Sequence, residues 1–253
     1  MHDLRRQLLI YLRARYPILF LVTHEEQRIW RELVRIAEQE ALELFRWRST
    51  QGLEGPSGPL DGSSSPVEGL EAFSRQDGAA LGVFWDLHPH LGDPDVLRRL
   101  RDLCIDMGPK AQTLVIMGPS LVVPLELEKS VAVLDVPLPG AEEGRRLLRV
   151  LCDSQNLSLP QELFERFVQG GLGLTEEEIK RLYSRILLGG GGFSEGDLLL
   201  QVQEKRKAIR RSRFLEFWDM YSLQISVGGM DNLKNWLSER SRAFTVEARD
   251  FGL

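Results

Sequence analysis

The sequence predicts an α/β protein with a mainly parallel sheet, followed by a small helical subdomain. Two observations predict it. Over the first 138 residues, short aliphatic and aromatic runs alternate with stretches of helical spacing, the pattern of strands joined by crossover helices. After "PLPG" at 137–140 the strand-like runs stop, and amphipathic helical segments follow one another. With 253 residues, 43% hydrophobic and 27% charged, the chain can bury the core such an arrangement needs.

Leu4, Leu8, Leu9 and Leu12 stand at helical spacing, and Pro17 ends that element. "ILFLV" then reads as a buried strand. From His24 the spacing becomes helical again, with Ile29, Leu33, Ile36 and Ala37 on one face. Thr23 followed three residues later by Glu26 predicts a capping box, hence a helix starting at once after the strand. "LELFRWRS" predicts a second strand and "GLEGPSGPLDGSSSP" a surface loop. A short helix over 67–73 precedes the strand "ALGVFWDL". "DPDVLRRLRDLCIDM" predicts an amphipathic helix capped by Asp93. "QTLVIMG" and "SVAVLDV" are two further strands, with Pro124 between them favouring a turn or helix start.

In the second part, "AEEGRRLLRVLCD", "LPQELFERFVQGG" and "LTEEEIKRLYSRILL" predict three helices. "GGGGF" at 189–193 predicts a flexible connector, and a long helix over 194–211 carries an apolar stripe of Leu198, Leu199, Val202 and Ile209. The organisation is then an α/β core over 1–138, a helical lid over 139–211, and a linker with one more helix over 212–253.

Composition narrows the function. A net charge of −5 gives no bulk reason to expect binding to nucleic acid or an anionic membrane. No apolar run reaches membrane-spanning length, and the N-terminus has no small-residue cleavage site. Cys104 and Cys152 cannot make a disulfide framework and read as buried thiols. A cytoplasmic location is expected.

An α/β core followed by a small helical subdomain is the layout of P-loop motor proteins. Those need a glycine loop whose backbone N–H groups wrap phosphate, with a lysine and a Ser/Thr beside it. Nothing in the chain matches G-x-x-x-x-G-K-[ST]. Between the first strand and its helix stands "THEEQ", with Glu25 and Glu26 where phosphate would sit; carboxylates there favour the helix and repel the anion. "GVFWDLHPHL" has the look of a Walker B strand ending in Asp86, but Leu87 stands where a catalytic carboxylate would follow. Asp86, His88 and His90 share strand alternation that suits metal ligands, yet Pro89 interrupts it and no metal site is expected. "DFG" at 250–252 lacks every companion motif of a kinase. "GGLGLT" reads as a flexible turn. The basic run over 205–213 reads as a solvated or intersubunit face of an amphipathic helix.

The closing segment, "SVGGMDNLKNWLSERSRAFTVEARDFGL", resembles the entry to the ATPase domain of the ycf-type AAA+ family, the hypothetical chloroplast reading frame ATPases. The matching residues are Val227, Gly228, Gly229, Met230, Asp231, Leu233, Lys234, Trp236, Leu237, Arg240, Phe244, Ala248, Phe251, Gly252 and Leu253. Upstream, "YPILFLVTHEE", "FWDLHPHL" with "DPDVLRRLRDL", "LVIMGPSLVVPLELEKSVAVLDVPLPG" and "GLGLTEEEIKRLYSRIL" are similar to the same family's N-terminal region, so the resemblance covers nearly the whole chain. It implies an AAA/RecA-like fold without a phosphate loop, with Asp86 as a degenerate Walker B acid.

By the same resemblance, Val227, Gly228 and Gly229 would lie beside the nucleotide of a following domain. Leu233, Lys234, Trp236, Leu237, Arg240 and Phe244 would form an interdomain helix. That helix is expected to dock on the first domain or on a neighbouring copy through Leu233, Trp236, Leu237 and Phe244. ATP and Mg are expected only in the following ATPase domain, with no cofactor in this chain. The resemblance further implies a non-catalytic module that binds a protein substrate or adaptor and assembles as a homo-oligomeric ring, with no membrane or nucleic-acid partner. The alternative is half of a composite ATPase completed by a separate chain, and a third reading has the basic run at 205–213 binding nucleic acid.

Overall fold

The computed structural model describes residues 2–190, 193–211 and 229–241. The chain divides into two compact units, Met1–Ala208 and Ile209–Leu253.

In the first unit a seven-stranded sheet has the order β4-β3-β2-β5-β6-β1-β7. Its strands are β1 (Ile18–Val22), β2 (Glu43–Arg48), β3 (Gly52–Gly55), β4 (Gly58–Pro59), β5 (Ala80–Trp85), β6 (Gln112–Gly118) and β7 (Val131–Asp135). β2, β5, β6, β1 and β7 run parallel, and β3 and β4 extend the β2 edge antiparallel. The predicted α/β class with a mainly parallel sheet is the observed one.

A parallel sheet must be covered on both faces, and strand alternation divides the residues accordingly. Ile18 and Phe20 of β1, with Leu114 and Ile116 of β6, face a core closed by α3 (Pro66–Ser74) and α4 (Pro94–Lys110). Leu19, Leu21, Val115 and Met117 face the opposite core, closed by α1 (His2–Arg13) and α2 (Glu26–Gln39). Asp93 caps α4, its carboxylate accepting from the Asp95 amide at 2.8 Å.

The Gly/Pro/Ser stretch expected to be a surface loop instead carries β3 and β4. Its sequence has no strand alternation because the pairing rests on backbone bonds and on Ser63. The Ser63 hydroxyl is buried, accepts from the Leu53 amide at 2.8 Å, and the Ser63 carbonyl accepts from Trp47 Nε1 at 2.9 Å. Trp47 is in turn stacked on Phe84 with ring centroids 5.4 Å apart.

The helical subdomain consists of α5 (Ala141–Ser154), α6 (Gln161–Gly171), α7 (Glu176–Gly190), a 3₁₀ turn at Glu195–Asp197 and α8 (Leu198–Arg211). Leu148, Phe167, Val168, Ile179, Tyr183 and Phe193 form its own core. The Phe167 carbonyl at the end of α6 accepts from Tyr183 Oη at 3.1 Å and Gln201 Nε2 at 2.6 Å, pinning three helices at one point. Three expectations change here. Gly189 and Gly190 continue α7 rather than open a connector, while 191–192 lie outside the described residues. The helix over 194–211 opens as the 3₁₀ turn, where Asp197 caps the Ser194 amide at 2.9 Å. On α8 the buried side is Leu198, Leu200 and Gln201, whereas Leu199 and Val202 are exposed; the Ile209 side chain lies outside the description. Cys152 is buried and Cys104 half-buried.

The second unit is described over 209–211, the last residues of α8, and over 229–241, which contains α9 (Asp231–Ser241). Leu233, Trp236 and Leu237 are exposed on it, and the Arg240 guanidinium lies 5.1 Å from the Trp236 ring centre.

One glycine tests the β2–α3 packing. A Cβ at Gly69 would stand 2.4 Å from the Trp47 indole, which is fully buried and held by Ser63. Gly69→Ala should therefore cost about 1–3 kcal/mol. Gly92→Ala, where a Cβ meets open space, should stay within about 0.5 kcal/mol. Urea denaturation midpoints of the two variants check this.

Candidate functional site

The registers bring the C-terminal ends of three strands level: Val22 lies beside Gly118 on β6 and Asp135 on β7. This edge, where β1 passes into α2, is where a nucleotide-binding sheet of this kind holds phosphate. β1 ends at Val22 and α2 begins at Glu26, so only Thr23, His24 and Glu25 join them. A phosphate loop needs about eight residues to wrap its N–H groups around an anion. The connection is too short to form one.

The predicted Thr23–Glu26 capping box is not formed. The helix begins later than the box requires, with Glu25 at the capping position and no side-chain cap. The Thr23 hydroxyl instead accepts from the Glu25 amide at 2.8 Å, a tight turn that a threonine supplies two residues ahead.

The two glutamates diverge. Glu25 turns inward, its side chain 5% exposed, toward the helical subdomain. One carboxylate oxygen accepts from the backbone N–H of Glu176, the first residue of α7, at 2.6 Å. The other pairs with the Arg28 guanidinium, whose side chain is 4% exposed. Arg28 also donates to the Pro137 carbonyl at 2.8 Å and to Glu143 of α5 at 3.1 Å. Beside it, Arg31 and Lys180 each reach the Glu176 carboxylate at 2.6 Å. Burial alone would raise the Glu176 carboxyl, but the hydrogen bonds from Lys180 and Arg31 outweigh it and hold it below the ordinary carboxylate range. α7 is otherwise capped by Thr175, whose hydroxyl accepts from the Glu178 amide at 3.2 Å. The preceding Gly173 is left-handed at φ +86°, in keeping with the predicted turn.

Glu26 turns the other way. Burial, and then the nearby Asp86 charge, raise its carboxyl, against a smaller lowering by Arg48. Asp86 closes β5 in a left-handed conformation at φ 51°, its amide donating to the Met117 carbonyl at 2.9 Å. Leu87 points into the core and is fully buried, so no polar group follows Asp86 into the site. His88 and His90 lie on a 3₁₀ turn, not a strand, because Pro89 stands between them. His88 packs on Gly118, its Nδ1 3.8 Å from Asp86, while His90 meets the Trp47 ring edge-on at 6.4 Å. Among the described residues no three His, Cys, Asp or Glu side chains converge to hold a metal.

Between α2 and α7 remains a cleft of about 130 Å³, lined by residues 24–28 and 175–177; its arginine, Arg28, is already paired with Glu25 and Glu143. It is smaller than a typical ligand pocket and edged by four carboxylates. These residues do not fit a nucleotide phosphate.

Of the other sequence-predicted residues, Gly229 is exposed and left-handed at φ +74°. Leu233, Lys234, Trp236, Leu237 and Arg240 lie on α9, and Val227, Gly228 and Phe244 lie outside the described residues. Sequence reasoning missed Arg28, Glu143 and Glu176. The only local signal was the i,i+3 spacing of Glu25 and Arg28.

The Glu176 interaction has a pH signature. Its carboxyl is depressed in the folded state, so the stability it contributes is present above its unfolded pKa and is lost as pH falls through the folded value. Between about pH 5 and pH 3 the wild type should lose more stability than Glu176→Gln, which lacks the titrating group. Urea unfolding across a pH series compares the two slopes.

Comparison with known proteins places this geometry. The SpoVK-like AAA ATPase N-terminal domain model matches residues 4–136, and the second-domain model of the same family matches 142–212. The uncharacterized AAA domain-containing protein ycf46 of Trieres chinensis is 29% identical over 252 residues, covering 98% of this chain and 50% of that protein. Its counterpart from Guillardia theta is 29% identical over 249 residues, covering 96% and 49%. The chain thus spans about half the length of these relatives. Among solved structures, a Thermotoga maritima RuvB variant superposes with a TM-score of 0.52 at 11% identity, covering 80% of this chain and 68% of that one. The E. coli MS115-1 HORMA:CdnC:Trip13 complex gives 0.50 at 17%, covering 75% and 73%. These two likenesses are of fold alone. With the N-terminal match spanning more than half its residues and the second-domain match following directly, the chain belongs to the SpoVK-like AAA ATPase family.

Proposed function

We propose that this chain is the non-catalytic N-terminal module of a ycf-type AAA+ ATPase. In this reading it binds a protein substrate or adaptor and takes part in assembling a homo-oligomeric ring in the cytoplasm. ATP and Mg act in a following domain, for which Gly229 and the α9 residues form the approach.

The observation that carries the reading is the Glu25 carboxylate. It lies buried at the end of β1, bonded to Arg28 and to the Glu176 amide, in the place where phosphate would have to sit. Binding an anionic ligand there would require displacing the Glu25 carboxylate from the Arg28 guanidinium and the Glu176 amide that already answer it, against repulsion from the neighbouring Glu26, Glu176 and Glu177 carboxylates. The three-residue passage from β1 to α2 and the buried Leu87 support the same reading. The matched relatives are about twice as long as this chain, which leaves room in them for a separate ATPase domain.

Titration calorimetry of this chain with Mg·ATP and Mg·ADP tests it. No saturable heat is expected up to about 1 mM nucleotide. A micromolar, magnesium-dependent binding isotherm would overturn the reading.

A further inference from the structure

An anion held at the end of β1 and against the N-terminus of a lid helix would join two parts of the first unit. It would receive a charged side chain from one side and a helix N–H from the other. Glu25 receives both kinds of partner from within the chain. Arg28 pairs with one oxygen, and the amide of Glu176 donates to the other at 2.6 Å. The two glutamates of this bond are 151 residues apart in sequence. Arg28 then ties the same point to α5, through Glu143 at 3.1 Å, and to the strand–helix connection through the Pro137 carbonyl at 2.8 Å. The Glu25 and Arg28 side chains are 5% and 4% exposed, so their geometry is fixed by packing and not averaged by solvent.

We propose that the Glu25 carboxylate is a resident substitute for a nucleotide phosphate, and that it fixes the helical subdomain on the α/β domain with no nucleotide present. The proposal rests on the preceding reading that this chain does not bind ATP, and it adds what takes the ligand's place. Rotating α7 away from β1 would strip the buried carboxylate of its amide donor. Moving α5 would strip the buried guanidinium of Glu143. Both motions are opposed by one pair of charges. The subdomain therefore keeps one orientation while other parts of an assembly pass through their nucleotide states.

Hydrogen exchange followed by mass spectrometry on the full 253-residue chain tests this. Four proteins are compared: wild type, Glu25→Ala, Glu25→Gln and the neighbouring control Glu26→Ala. In Glu25→Ala the amides of 174–182 should exchange at least roughly tenfold faster, while β5 and β6 keep wild-type protection. Glu25→Gln, which keeps an acceptor but loses the charge, should fall between them, and Glu26→Ala should match the wild type over 174–182. Wild-type exchange over 174–182 in Glu25→Ala overturns the proposal. Equal acceleration in β5 and β6 overturns it too, because the carboxylate would then serve overall stability only. Should Glu25→Ala fail to fold, Glu25→Gln decides: acceleration confined to 174–182 supports the proposal, and wild-type exchange there overturns it. Added Mg·ATP should leave the wild-type pattern unchanged. Protection by nucleotide would count against the preceding reading, while the Glu25 variants still decide this one.

Discussion

The Arg28 guanidinium, taken out of water at the joint between the sheet and the helical subdomain, is the constraint around which the first unit is arranged. Burying such a charge costs several kcal/mol unless every donor direction is answered. Here the answers come from three places in the chain: Glu25 at the start of α2, the Pro137 carbonyl, and Glu143 on α5. None of them alone would justify the burial. Together they make the position of α5 a condition for the stability of α2, and this couples two hydrophobic cores that share no side chains.

The sheet makes this joint possible. Parallel pairing brings the ends of β1, β6 and β7 to one edge, and both faces are closed by helices, so that edge is where polar groups can gather. Trp85 and Asp86 arrive at the same edge from β5. The edge thus separates into two acidic sides. Glu25 is directed to the subdomain and neutralised by Arg28, whereas Glu26 is left beside Asp86 with a raised carboxyl. Adjacent residues meet opposite surroundings because Glu25 is the non-helical capping residue, at φ −104° and ψ 55°, whereas Glu26 opens the helix.

The sequence made the central strands and their covering helices legible, since "ILFLV", "ALGVFW" and "QTLVIMG" are apolar on both faces and can only be buried strands. It was also enough to show that "THEEQ" is no phosphate loop. The β3–β4 hairpin was not legible, because glycine, proline and serine residues give no alternation and the pairing depends on the buried Ser63. The capping box failed for a related reason: spacing alone cannot tell which of two overlapping turns Thr23 will close. The partners of Glu25 were the least accessible of all. Glu143 and Glu176 read as ordinary first-turn acids of surface helices, and only the fold brings them within reach of α2.

That last point bears on how this edge of the sheet differs from a working phosphate site. A weakened site would keep the loop and lose a lysine or a catalytic acid, so that single substitutions could restore it. Here the passage from β1 to α2 is three residues long, and its last side chain is already engaged as an anion. Removing Glu25 would leave the Glu176 amide and one side of Arg28 unanswered, but it would not lengthen the passage or supply N–H groups to surround a phosphate. Lengthening the passage would in turn displace α2 and with it Arg28, whose acceptors at Pro137 and Glu143 are fixed by other elements. The change from a ligand-holding edge to a self-closed one therefore involves backbone length and charge together, and neither can be reversed while the other stands.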